Sequence, residues 1–133
     1  MPALKMTAAD MVVAAKARIR ELSSEEGIAL HGDPQVVIVD LRDPRERERE
    51  GMIPGSFHCP RGMLEFWVDP QSPYFKPVFG EQKTFVFHCA SGWRSALSVA
   101  TLQDMGFDAA HLADGFSGWK AAGGPVTFPE KKS

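Results

Sequence analysis

Cys89 and Arg94 flank a small loop of four residues in the segment His88-Cys89-Ala90-Ser91-Gly92-Trp93-Arg94-Ser95. A β-branched and aromatic run, residues 84–88, leads into the cysteine, and a helical pattern over about residues 94–105 leads away from it. A cysteine at a strand end and before a helix start lies where backbone N–H groups and the positive end of a helix converge. Gly92 permits a tight bend, so successive N–H groups of residues 90–95 would point into one small cup, with Arg94 adding a full charge. An isolated thiol ionises near about pH 8.5, and such surroundings favour the thiolate, which is the nucleophilic form. The same cup would hold an anion bonded to the sulfur. On position alone, a lone cysteine at a strand end is equally well an inert core residue. The order strand, cysteine, glycine-containing loop, arginine, helix is what favours chemistry.

The elements that would position this loop alternate between the two periodicities. Ala8, Met11, Val12, Ala15 and Ile19 recur at helical spacing, with Thr7 as N-cap and an end near Arg18. Residues 19–22 read as a last helical turn or a short edge strand. Ser24 opens a short second helix ending near Leu30. Val36 to Asp40 is a continuous apolar run ending on an acid, as in a strand buried on both faces. Residues 42–50 are almost wholly charged, with opposite signs three apart at Arg45/Glu48, Glu46/Arg49 and Arg47/Glu50, which predicts an exposed helix. Residues 56–59 form a brief extended segment, residues 63–67 a helical turn, and the proline-rich stretch 69–77 a surface loop. After the second buried strand (84–88) and its helix, Gly106 supplies a C-terminal cap. Residues 109–112 then read as a strand, residues 115–122 as a last helix, and the tail after Gly124 should fray. Strands alternating with helices imply a parallel sheet covered on both faces. Ligands of such sheets bind beyond the carboxyl ends of the strands, where Cys89 falls.

The composition narrows the function classes. A chain of 133 residues suits one domain and buries enough surface to need no metal or disulfide staple. Fifteen basic against 17 acidic residues leave a net charge of −2, so nothing drives nucleic-acid binding. Two cysteines are too few for a disulfide scaffold. Apolar runs are only a few residues long, and Asp10 interrupts any signal-peptide-like stretch. These features point to a cytoplasmic protein that does not engage membranes.

The loop resembles the active-site loop of the rhodanese (thiosulfate sulfurtransferase) homology domain, in its single-domain type. Val39-Asp40-Leu41-Arg42-Asp43-Pro44 looks like that family's Asp-x-Arg strand end. Gly51-Met52-Ile53-Pro54-Gly55-Ser56 is similar to its Gly-His-Ile-Pro-Gly-Ala turn, with Met52 in place of His. Met105-Gly106-Phe107, residues 112–119 and Ala122-Gly123-Gly124-Pro125-Val126 resemble its C-terminal strand, turn, Trp and ending, with Asp114 where Gly is common. The likeness covers residues 19–126, leaving residues 1–18 as a helical extension and 127–133 as a tail. It implies a three-layer α/β/α fold with a mainly parallel sheet of about five strands.

The resemblance also implies a sulfurtransferase that needs no cofactor and carries sulfur as a Cys89 persulfide. Ala90, Ser91, Gly92, Trp93, Arg94 and Ser95 would bind the thiolate, the persulfide and the anionic donor. Asp40 and Arg42 would brace the loops by ion pairing, and Trp93 and Phe66 would wall the mouth. The implied partners are a small sulfur donor such as thiosulfate or a persulfide, a thiol or cyanide-type acceptor, and possible relay proteins in sulfur transfer. His58-Cys59 and His88-Cys89 do not make a metal site, because neighbouring strand residues point to opposite faces. Cys59 reads as a packing residue, Arg61 as a solvated loop residue, and Trp119 as a core anchor. Two rivals remain. One is a non-catalytic module that senses sulfur anions. The other is a cysteine-dependent phosphatase, whose His-Cys…Arg-Ser ends are shared but whose loop holds five residues between Cys and Arg, against four here.

Overall fold

The computed structural model describes residues 1–130. Five parallel strands form one sheet in the order β1-β5-β4-β2-β3: β1 Arg20–Leu22, β2 Val36–Asp40, β3 Phe57–His58, β4 Thr84–His88 and β5 Ala110–Leu112. The helices are α1 Ala8–Lys16, α2 Ser24–Leu30, α3 Pro44–Glu50, α4 Leu64–Val68, α5 Trp93–Asp104 and α6 Gly115–Ala121, with 3₁₀ turns at Arg61–Met63 and Pro77–Gly80. This is the three-layer α/β/α arrangement, and it resolves residues 20–22 as an edge strand paired with β5. Among the described residues, no helix is long and apolar enough to cross a membrane.

Alternation along the central strands divides the core. Val39, Phe85 and Phe87 face α4 and α5, packing with Leu64, Val68, Val99 and Leu102. Ile38 and Val86 face the other way, against Phe116 and Trp119 of α6 and Ile28 of α2. Trp119 is fully buried and donates its indole N–H to the Pro125 carbonyl at 2.8 Å. The chain leaves β2 toward β3 on one side and leaves β4 toward β5 on the other. A crevice therefore opens at the carboxyl ends of β2 and β4, the topological switch point of the sheet.

Local chemistry departs from the sequence reading at four places. Ser23, not Ser24, caps α2: its hydroxyl accepts the Glu26 N–H, and Glu26 answers on the Ser23 N–H. Helix α3 starts at Pro44 rather than Arg42, because Asp43 forms a capping box with Glu46 and proline suits a first helical position. Its charges do not form the pairs three apart that the spacing suggests; on its own surface Arg49 pairs instead with its neighbour Glu50 at 3.1 Å. Arg47 reaches Asp40 and Glu46 reaches Arg94, since the helix lies against the crevice. The tail does not fray at Gly124: Met52 and Thr127 exchange backbone hydrogen bonds of 2.7 and 2.9 Å. The expected tail beyond residue 130 lies outside the described residues.

Helix α1 packs on α5 through small side chains, Val12 and Ala15 meeting Ala96 and Ala100. Val12 is buried and its neighbour Val13 is 70% exposed. Val12→Ala should cost about 2 kcal/mol from lost burial plus cavity, whereas Val13→Ala should stay within about 0.5 kcal/mol. Urea midpoints at unchanged m-value test this; equal midpoints for the two variants would show that α1 contributes no packing.

Candidate active site

The end of β4 delivers Cys89 to the start of α5. That helix has no side-chain cap, because its N-cap residue is Gly92 in the left-handed region at φ 103°. A side chain at position 92 would collide with the Ala113 carbonyl oxygen, so only glycine fits. In place of a polar cap, Cys89 Sγ accepts the Gly92 N–H at 3.2 Å and the Ser95 N–H at 3.4 Å. These are helix-start donors that would otherwise lack an intrahelical partner. The loop carbonyls turn the opposite way. Those of Cys89 and Ala90 accept the Phe116 and Ser117 N–H groups at the start of α6, at 2.8 and 3.0 Å. Gly115 permits this close approach: a Cβ there would lie 2.6 Å from the Ala90 oxygen and 2.8 Å from that of Cys89. One side of the loop is thus fastened to α6 while two of its N–H groups converge on sulfur. Cys89 is buried.

Arg94 lies within reach of the Cys89 side chain, which helps hold its charge. Its guanidinium makes a two-pronged ion pair with Glu46 of α3, at 2.8 and 2.9 Å. Each partner favours the other's charged form: the Arg94 hydrogen bonds lower the Glu46 carboxyl and those of Glu46 raise Arg94. Trp93 and Phe66 are both half exposed. Phe66 packs edge-on against Tyr74. Ala90 borders a cavity of about 480 Å³ that also meets Arg42, Glu46, Arg49, Phe116 and Lys120. Arg61 pairs with Glu65 at 2.8 Å on the surface.

Beside the loop lies a buried charged cluster. Asp40, at the end of β2, accepts from Arg42 Nε and Nη2 at 3.0 and 2.9 Å and from Arg47 Nε at 3.0 Å. Arg42 also donates to the Gly51 carbonyl at 2.8 Å and stacks over the Phe116 ring at 4.3 Å. One guanidinium therefore ties the ends of β2, α3 and α6 together. Burial is the largest single influence and would raise the Asp40 carboxyl, but the Arg42 hydrogen bonds, the attraction of His88 and the Arg42 charge together bring the group down to about 2. His88 is its register partner on β4 and is wholly buried. Its Nδ1 donates to the Cys89 carbonyl at 3.2 Å, and among the described residues its Nε2 finds no hydrogen-bond partner. Burial lowers its pKa, an effect that the Asp40 carboxylate opposes. Met52, in the expected histidine position, receives an Arg47 contact through its sulfur at 3.0 Å.

Cys59 follows β3, two strands from β4, and is fully buried. Burial pushes its thiol up to about 12, so it stays protonated near neutral pH. Three side chains that the sequence reading did not single out join the site: Glu46, His111 and Glu21. His111 Nδ1 lies 2.7 Å from Ser95 Oγ, and its Nε2 lies 2.8 Å from Glu21. A histidine within the buried segment Ala110-His111-Leu112 is the signal that would have found it.

The Asp40 cluster generates a stability prediction. A folded-state carboxyl held below its unfolded value contributes stability above about pH 4 that is lost as pH falls toward about 2, on the order of 2 kcal/mol. Asp40→Asn should cost about 3–5 kcal/mol near neutral pH, because it leaves Arg42 buried without its counter-charge. The gap between variant and wild type should narrow as pH falls from about 5 to about 2. Urea denaturation across that range measures it, and a pH-independent gap would contradict the ion-pair account.

Comparison with known proteins matches this architecture. The model of the rhodanese-like domain matches residues 23–122. A solved Rhodopseudomonas palustris protein of unknown function, described as a possible tyrosine phosphatase, is 55% identical with a TM-score of 0.91, covering 96% of this chain and 99% of that one. The Arabidopsis thaliana dual specificity phosphatase Cdc25 is 31% identical over 118 residues, 81% of this chain and 77% of that protein. The Bacillus subtilis putative sulfurtransferase YtwF is 28% identical over 91 residues, 68% of this chain and 80% of that protein. With the parallel sheet, the cysteine loop at its switch point and a family match spanning most of the sequence, the chain belongs to the rhodanese-like domain family.

Proposed function

We propose that the protein is a sulfurtransferase that carries sulfane sulfur on Cys89. The observation that supports this most is the pair of backbone N–H groups, from Gly92 and Ser95, aimed at Cys89 Sγ. Fixed donors of this kind stabilise negative charge on sulfur without reorganising. In the first half-reaction the Cys89 thiolate attacks the outer sulfur of a donor such as thiosulfate. A sulfur–sulfur bond forms to Cys89, the donor's own bond to that sulfur breaks, and sulfite leaves with the electron pair. In the second, a thiol- or cyanide-type acceptor attacks the outer sulfur of the persulfide and Cys89 leaves as thiolate. Splitting the transfer in this way makes the kinetics ping-pong. The N–H groups of Ala90, Ser91, Trp93 and Arg94 complete the loop around the persulfide. Arg94, at the mouth with Glu46, meets the anionic end of a donor. Asp40 and Arg42 hold the flanking turns and do not react. The sulfur is carried covalently, so the reading needs no resident cofactor.

A phosphatase reading draws on the names of two relatives. Its weakness is the loop of four residues between Cys89 and Arg94, where such phosphatases hold five.

Incubation with thiosulfate should leave the protein heavier by one sulfur atom, on Cys89, and subsequent cyanide should remove it. Cys89→Ser should reduce turnover to the uncatalysed rate, because a hydroxyl is barely ionised at neutral pH. Cys59→Ala should keep wild-type turnover with a packing loss of about 1 kcal/mol. Loading without turnover would favour a sulfur-sensing module. No loading from thiosulfate or persulfide donors, together with hydrolysis of an aryl phosphate, would replace the proposal by the phosphatase reading.

A further inference from the structure

A chain of short contacts runs from Cys89 to the far edge of the sheet. Cys89 Sγ lies 3.6 Å from Ser95 Oγ, Ser95 Oγ lies 2.7 Å from His111 Nδ1, and His111 Nε2 lies 2.8 Å from Glu21 Oε2. The loop after β4, α5, β5 and β1 supply it. Ser95 and His111 are fully buried. The parallel register places Glu21 directly opposite His111, on the same face of the sheet. We propose that Ser95, His111 and Glu21 accept the Cys89 proton and so generate the thiolate, with His111 as a positioning residue that acts on the sulfur through the Ser95 hydroxyl.

The hydrogen-bond directions are fixed from one end. A carboxylate only accepts, so His111 Nε2 carries its proton toward Glu21. In a neutral ring Nδ1 is then an acceptor, and Ser95 must donate its hydroxyl proton there. The alternative acceptor for that proton, the Gly92 carbonyl, is more distant at 3.4 Å. Ser95 Oγ is thereby left to accept the Cys89 thiol proton. Every donor in the line points the same way.

Activation shifts two protons and needs no other reactant. The Cys89 proton passes to Ser95 Oγ while the Ser95 proton passes to His111 Nδ1. The product is a thiolate that accepts three hydrogen bonds, from Gly92 N–H, Ser95 N–H and the Ser95 hydroxyl. The imidazolium formed lies between Ser95 Oγ and the Glu21 carboxylate. The charged and titratable groups around it are Glu21 on β1, Lys16 on α1 at 3.7 Å from Glu21, and Cys89 on β4. Burial lowers the His111 pKa, the Glu21 hydrogen bond opposes that, and Lys16 reinforces it. A neutral ring with its proton on Nε2 is the form whose Nδ1 can accept a proton.

This proposal rests on the reading that Cys89 reacts as a thiolate, and its test uses no sulfur donor. The His111 ring is titrated by nitrogen NMR in wild-type protein and in protein whose Cys89 is capped as a methyl disulfide, which removes both the proton and the anion. Coupled groups titrate as a pair, so capping should shift the His111 titration down by about one unit. In parallel, alkylation of Cys89 by a neutral reagent near pH 7 should slow about tenfold in Ser95→Ala and in Glu21→Gln, and recover in Ser95→Thr, which restores the hydroxyl. A His111 titration that is the same before and after capping overturns the proposal, whatever the variants do. A shifted titration supports it even if no sulfurtransferase activity is found.

Discussion

The site depends on an unfilled requirement at the start of α5. A helix presents N–H groups in its first turn that have no partner within the helix. Most helices answer with a serine, threonine or aspartate cap. Here the cap position is glycine, fixed by its backbone conformation and by the Ala113 carbonyl pressed against it. The acceptor comes from three residues earlier, as the sulfur of Cys89. Sulfur is a weak acceptor as a thiol and a better one as a thiolate. The feature that completes the helix is thus the feature that would drive chemistry.

That arrangement holds only while the loop carbonyls are kept away from the cup. The start of α6 does this by donating the Phe116 and Ser117 N–H groups to the Cys89 and Ala90 oxygens. Phe116 in turn lies under Arg42, which grips Asp40 and the Gly51 carbonyl. A buried ion pair is weak support for stability, since desolvation offsets much of the attraction. Its use here is geometric. A planar, multiply bonded guanidinium fixes the distances among β2, α3 and α6, and with them the shape of the crevice into which the loop opens.

How much of this could be read in the sequence follows from the range of the interactions. The Cys89 loop was legible because its signals are adjacent: an apolar strand, a glycine and the first turn of a helix. Asp40 and Arg42 were visible for the same reason, two residues apart at a strand end. The edge strand at residues 20–22 was ambiguous because three residues carry too little periodicity, and only pairing with β5 settles it. Glu46 looked like one more charge on a solvated helix, since its partner Arg94 is 48 positions away. Glu21 and His111 are 90 positions apart and meet only because β1 pairs with the last strand. Strand order is a tertiary fact, so no local pattern announces that pair. The pinned tail escaped for a related reason: its bridge from Thr127 to Met52 is made by backbone groups, which leave no mark on residue type.

The aim of the N–H groups bears on which anion the loop suits. A loop built for a phosphoryl group must direct its donors past the nucleophile, toward three oxygens that lie beyond the sulfur. Here the donors from Gly92 and Ser95 end on the sulfur itself, at 3.2 and 3.4 Å. Adding an outer sulfur to Cys89 leaves those contacts in place and spreads the negative charge over two atoms. Adding a phosphoryl group would place its charge where these two donors do not point. The Arg94 guanidinium is shared between a two-pronged pair with Glu46 and the Cys89 side chain, and because the Glu46 pair is part-exposed its release would cost no more than about 1 kcal/mol. We read the two donors that end on the sulfur as support for the proposed sulfur transfer.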